Sequence, residues 1–61
     1  MSTSLERARR YRDKAEECAR LSEMAAAPEI KEQYKHVAEC YRSLATAEEN
    51  LAAEQSRLAA K

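Results

Sequence analysis

The sequence predicts an all-α fold: an antiparallel two-helix hairpin, with helices over about 4–26 and 28–59, that dimerises into a four-helix bundle. Three observations carry this. Val37, Leu44, Leu51 and Leu58 recur every seven residues, and each is followed by an alanine (Ala38, Ala45, Ala52, Ala59). A strict seven-residue apolar repeat draws one stripe along a helix that winds against a partner, and the alanine beside each knob lets that partner come close. The chain has no glycine and a single proline, and alanine, glutamate, arginine, leucine and lysine dominate it, which is the composition of long helices. That lone proline, Pro28, stands near the middle of the chain.

The first helix opens at Thr3 or Ser4. Thr3-Ser4-Leu5-Glu6 fits a capping box, in which a hydroxyl and a carboxylate serve amides that no earlier turn can satisfy. Small or apolar residues then fall at Ala8, Tyr11, Ala15, Cys18, Ser22 and Ala25, alternately three and four apart, the spacing of one helical face. Leu5 and Leu21 widen this stripe. The opposite face is charged, and Glu6–Arg10, Arg12–Glu16 and Glu16–Arg20 are four apart, close enough to pair along the helix.

Pro28 breaks the pattern. Proline disfavours helix in the residue before it and suits the first helical position after a turn. Ala27 is therefore expected outside a helix and Pro28 at the start of the second one, with Glu29 and Glu32 in a first turn that favours negative charge. A single helix kinked at Pro28 is the alternative, but the apolar content exceeds what an extended helix needs. The second helix is expected to run to about Ala59, on a stripe of Ile30, Tyr34, Val37, Tyr41, Leu44, Glu48, Leu51, Gln55 and Leu58. Ile30 to Leu44 would pack on helix one. Below Leu44 the polar Glu48 and Gln55 thin the seam.

A short turn folds the helices back on one another. With the turn near Ala27 and Pro28, facing residue numbers sum to about 58, so that Leu21 meets Val37, Ala15 meets Leu44 and Ala8 meets Leu51. Arg12 is then expected to neutralise Glu48. Helix two overhangs by about one or two turns, and residues beyond Gln55 are expected to fray.

One 61-residue domain buries a small fraction of its surface, and the eleven large apolar side chains from Leu5 to Leu58 leave a lone hairpin marginal. Self-association would bury more of the stripe, so the expected partner is a second copy, with another protein as a further possibility. Eleven cationic and eleven anionic side chains balance, so no net field draws the chain to nucleic acid or to a membrane. The first residues lack the apolar core of a signal peptide, and the longest apolar run, Met24 to Pro28, is far too short to span a bilayer. A cytoplasmic location with reduced thiols is expected.

Tyr11-Arg12, the run Ala15 to Leu21, Pro28-Glu29-Ile30-Lys31, Tyr34 and the run Ala38 to Ala45 resemble short uncharacterised two-helix proteins of alphaproteobacteria. The resemblance covers roughly residues 9–49 and rests mostly on helix-forming pattern. It implies a bacterial cytoplasmic helical hairpin and carries no activity, cofactor or site residue with it.

Two constellations could bear chemistry. Cys18, His36 and Cys40 would come together if Cys18 lies opposite Cys40 across the hairpin. Two thiolates and an imidazole suit zinc, with Glu17 or Glu39 as a fourth ligand. The other readings are an interhelix disulfide and, ahead of both, inert thiols acting as small apolar residues, with His36 at the boundary of the stripe. The second constellation is Arg7, Arg9, Arg10, Arg12 and Lys14, five cations in eight residues that could touch phosphates. Glu6 and Asp13 interrupt it, and a charge-paired solvated face is the preferred reading. No glycine-rich phosphate loop is present, and a two-helix chain offers no pocket in which a nucleophile and a base converge. Tyr11, Tyr34 and Tyr41 lie at packing spacing and read as core.

The expected function is therefore that of a small non-enzymatic helical interaction module, a homo-oligomeric scaffold, adaptor or regulator without a cofactor. Val37, Tyr41, Leu44, Leu51 and Leu58 carry the association. The alternatives are a metal- or redox-responsive hairpin using Cys18, His36 and Cys40, and weak nucleic-acid binding through Arg7 to Lys14.

Overall fold

The computed structural model describes residues 3–59. They form two helices, α1 (Ser4–Met24) and α2 (Pro28–Ala59), packed against each other as a hairpin. The body is a rod of 52 × 17 × 13 Å, about the length of α2 itself at 1.5 Å per residue.

Each helix starts where its chemistry dictates. Thr3 is extended (φ −90°, ψ 165°), and its hydroxyl accepts a hydrogen bond from the Glu6 amide at 3.1 Å. Its carbonyl accepts from the Arg7 amide at 3.0 Å, so the cap begins the ladder as well as closing it. Pro28 opens α2, and Ala27 stays outside it while its carbonyl accepts from the Lys31 amide at 3.0 Å. The kinked single helix is thereby excluded.

α1 ends at Met24, two residues earlier than the sequence pattern suggests. Ala25 turns extended (φ −70°, ψ 132°) while its amide still bonds back to the Leu21 and Ser22 carbonyls. Among the described residues none has positive φ, which is how the turn dispenses with glycine. The connection is thus Ala25 to Ala27, centred on Ala26, and this resets the register. The hydroxyl of Ser22 donates to the Lys31 carbonyl at 2.9 Å, and the Tyr11 and Tyr41 rings stack with centroids 6.2 Å apart. These pairs sum to 53 and 52, not to about 58. The expected pairings of Leu21 with Val37, Ala15 with Leu44 and Ala8 with Leu51 are replaced. Ala8 now stands level with Ala45, and Ala15 with Ala38.

The seam follows from that register. Among the described residues only Ser4, Ala8, Ala15, Ser22, Ala38 and Ala45 are buried, so no buried side chain is larger than serine. Tyr11, Tyr34, Tyr41 and Cys18 are half-buried at the seam's edge. The α1 face is the one its periodicity predicts. On α2 the expected face holds at Tyr34, Tyr41 and Glu48, all half-buried, and is displaced by one residue at the aliphatic positions. Ala38 and Ala45, which follow Val37 and Leu44, point at α1, and the aliphatic repeat itself does not. Helices faced with methyl groups approach closer than helices faced with leucines. The two serines stand at the ends of the α1 stripe and both are satisfied: Ser22 by Lys31, and Ser4 by a hydrogen bond from the Arg7 guanidinium at 3.2 Å.

The new register also lengthens the overhang. Ser4 stands level with Glu49, so α2 continues about ten residues, or ~15 Å, past the first turn of α1. α2 stays helical through Ala59, beyond the expected fraying point at Gln55.

Candidate interaction surface

The hairpin has two unlike flanks. One is charged. Arg12 donates through Nε to Glu49 Oε2 at 2.8 Å and pairs with the other carboxylate oxygen through Nη2. A shallow groove beside this pair is lined by Leu5, Ala8, Arg9, Arg12, Asp13 and Glu49, and a second by Arg12, Ala15, Glu16 and Arg42. Arg12 does not neutralise Glu48, as the sequence suggested. Glu48 is held instead by Arg7, whose Nε lies 2.9 Å from Oε2 and 3.1 Å from Oε1. The seam carboxylate is thus neutralised from α1, by the arginine five residues earlier.

The hydrogen bond and charge of Arg12 hold the Glu49 carboxyl below its ordinary 4.5, and Glu49 in turn raises Arg12. A carboxyl depressed in the folded state contributes stability that is present above its unfolded value and is lost as pH falls through the folded one. The window therefore lies below about pH 4.5. The raised Arg12 acts only at alkaline pH outside the working range. Both side chains are largely exposed, so the effect is small. Urea midpoints should separate the wild type from Glu49→Gln at pH 7, and the gap should narrow as pH falls below about 4.5. A gap that stays constant with pH would show that Glu49 acts through packing rather than charge.

The other flank is aliphatic. Ile30, Val37, Leu44, Leu51 and Leu58 lie along α2 at seven-residue spacing, each between 40% and 60% exposed. On α1 the matching line is Arg7, Lys14 and Leu21, again seven apart, and Leu21 and Met24 are exposed near the closed end. Every large aliphatic side chain among the described residues is thus at the surface. Of the five residues assigned to an interface by sequence, Tyr41 stands at the hairpin seam, half-buried, and Val37, Leu44, Leu51 and Leu58 form the exposed row. Isolated exposed leucines are ordinary on a protein surface, whereas this row is continuous for some 40 Å.

The row has its own helical grammar. Taken with Gln33, Cys40, Ala47 and Glu54, it reads Ile30, Gln33, Val37, Cys40, Leu44, Ala47, Leu51, Glu54, Leu58, alternately three and four apart. That is a second heptad-spaced stripe on the same helix. Sequence reasoning had merged the two. The alanine after each large residue was the signal that could have separated them, because Ala8 and Ala15 on α1 repeat the same small size at the same period.

The cysteine constellation does not assemble. Cys18 and Cys40 are free thiols, the first half-buried and the second exposed. Their numbers sum to 58, five beyond the register, so Cys40 is not level with Cys18. His36 is exposed, and no group of three His, Cys, Asp or Glu side chains that could hold a metal occurs among the described residues. The basic stretch is partly consumed by the hairpin. Arg7 and Arg12 are committed to Glu48 and Glu49, and Lys14 lies 4.0 Å from Glu17. Among the described residues, no helix is long and apolar enough to cross a membrane.

No family model, curated protein or solved structure matches the chain.

Proposed function

We propose that the protein is a small non-enzymatic interaction module: an antiparallel hairpin that pairs with a second copy into a four-helix bundle. Val37, Leu44, Leu51 and Leu58 are its contact residues, with Tyr41 at their inner edge. The observation that carries this reading is the exposed aliphatic row. The seam between α1 and α2 is closed with methyl and hydroxymethyl groups, and the side chains with the largest hydrophobic stabilisation lie outside it.

The surface area supports the same reading. The hairpin exposes 4929 Å², whereas a compact monomer of its mass exposes about 4,000 Å². The excess, about 900 Å², is close to the ~800 Å² that each partner contributes to a standard protein interface. Sedimentation equilibrium between ~1 and ~500 μM should return twice the 6.9 kDa chain mass over the upper part of that range. A mass of 6.9 kDa throughout would overturn the proposal.

A further inference from the structure

We propose that the second copy lies head to tail along the aliphatic row, so that the overhang of each α2 packs on the closed end of the other hairpin. This rests on the self-pairing reading above and adds its orientation. The two ends of the row are unlike. At the closed end both helices contribute exposed apolar side chains, Leu21 and Met24 from α1 and Ile30 from α2. At the open end Leu51 and Leu58 stand on a single helix, past the level of Ser4. Head-to-tail pairing sets each one-helix end against a two-helix end, and both are covered. Head-to-head pairing sets two one-helix ends together and leaves each with a single neighbour.

Charge selects the same orientation. Glu29 is acidic in the first turn of α2, and Arg57 is basic in its last. Each immediately precedes a member of the row, Ile30 or Leu58, so both flank it on the same edge, about 42 Å apart along the helix. The row is centred on Leu44. Head-to-tail pairing about that point brings Glu29 of one copy to within about one turn of Arg57 of the other, twice per dimer, whereas head-to-head pairing sets this edge of the two copies on opposite sides of the contact and forms no such pair. The existing Arg57–Glu54 contact is a surface pair and is exchanged at little cost. The less apolar members of the second stripe, Gln33 and Glu54, fall near its two ends, and the small Cys40 and Ala47 fall at its middle, where the helices cross most closely.

The test uses the full chain with Cys18→Ser and Cys40→Ser, its native mass measured first. Glu29→Cys and Arg57→Cys are introduced separately, then oxidised with diamide alone and as an equimolar mixture. The mixture should give at least tenfold more covalent dimer than either variant alone, joined between positions 29 and 57. Efficient cross-linking of Arg57→Cys with itself would overturn the orientation while leaving self-pairing intact. A spin label on Ala53→Cys in the same background provides a reading that leaves both charges in place. Two labels should lie roughly 30 Å apart head to tail, against less than about 20 Å head to head. A dimeric mass with a separation under about 20 Å overturns the inference alone, and a monomeric mass at every concentration overturns both it and the reading beneath it.

Discussion

Leu44→Glu should hold the protein at 6.9 kDa at concentrations where the wild type is a dimer. Leu44 is the middle member of the exposed row and is 46% exposed in the hairpin. Covering what remains of a leucine contributes about 1–2 kcal/mol, and a carboxylate forced into the same place without a partner costs several more. The substitution enters twice per dimer, so the dissociation constant should rise by at least ~10³-fold. Leu44 is not one of the buried seam residues, so helical content at high dilution should match that of the wild-type monomer. Leu44→Met, which keeps volume and polarity, should leave the mass unchanged. A Leu44→Glu protein that stays folded and retains the wild-type mass would show that the row is not the interface.

Ala45→Leu should damage the hairpin itself. Ala45 is 0% exposed, and the three added carbons have no space between α2 and α1. Overpacking of this kind costs about 1–3 kcal/mol. In a domain of this size each kcal/mol moves Tm by about 4–8 °C, so the transition should fall by ~10 °C or more in thermal circular dichroism at matched concentration. Ala53→Leu is the control. It sits on the same helix at an exposed position, changes helix propensity little, and should leave Tm within a few degrees. Equal stability of both variants would mean that the alanine seam is not closely packed. The two prediction pairs probe different seams, and their effects should separate cleanly: Leu44→Glu acts on mass, Ala45→Leu on Tm.

The contrast between these two neighbours shows what could be read from the sequence. Helix starts were legible because their chemistry is local. The Thr3 hydroxyl needs only the Glu6 amide, and Pro28 acts on its own φ and on Ala27. The α1 face was legible because only one stripe of small residues runs along it. On α2 Tyr34, Tyr41 and Glu48 lie at the seam as expected, but the aliphatic positions were misplaced by one residue, because Leu44 and Ala45 repeat with the same period and periodicity alone cannot say which is inside. Hydrophobicity favours Leu44, and the choice is reversed by the small size of the residues on the facing helix. The register failed for a different reason. It depends on where α1 stops, and Ala25 carries no sequence mark distinguishing it from Ala26. With the turn centred on Ala26, facing numbers sum to about 53, so Glu48 is held by Arg7 rather than Arg12 and Cys18 and Cys40 stand at different levels.

The methyl-lined seam sets an unusual pattern of mutational tolerance. In most small domains the large core residues are the restricted ones, and alanines drift. In this hairpin the positions of Ala8, Ala15, Ala38 and Ala45 admit almost nothing but alanine and serine. Glycine there loosens the helix by about 1 kcal/mol, and anything larger separates the helices. The aliphatic row, by contrast, should accept exchange among isoleucine, valine, leucine and methionine, because a surface closed by a second helix can adjust its spacing. A saturation scan of the chain would thus show the least variation where the side chains are smallest, with a usable alphabet of two letters along the seam.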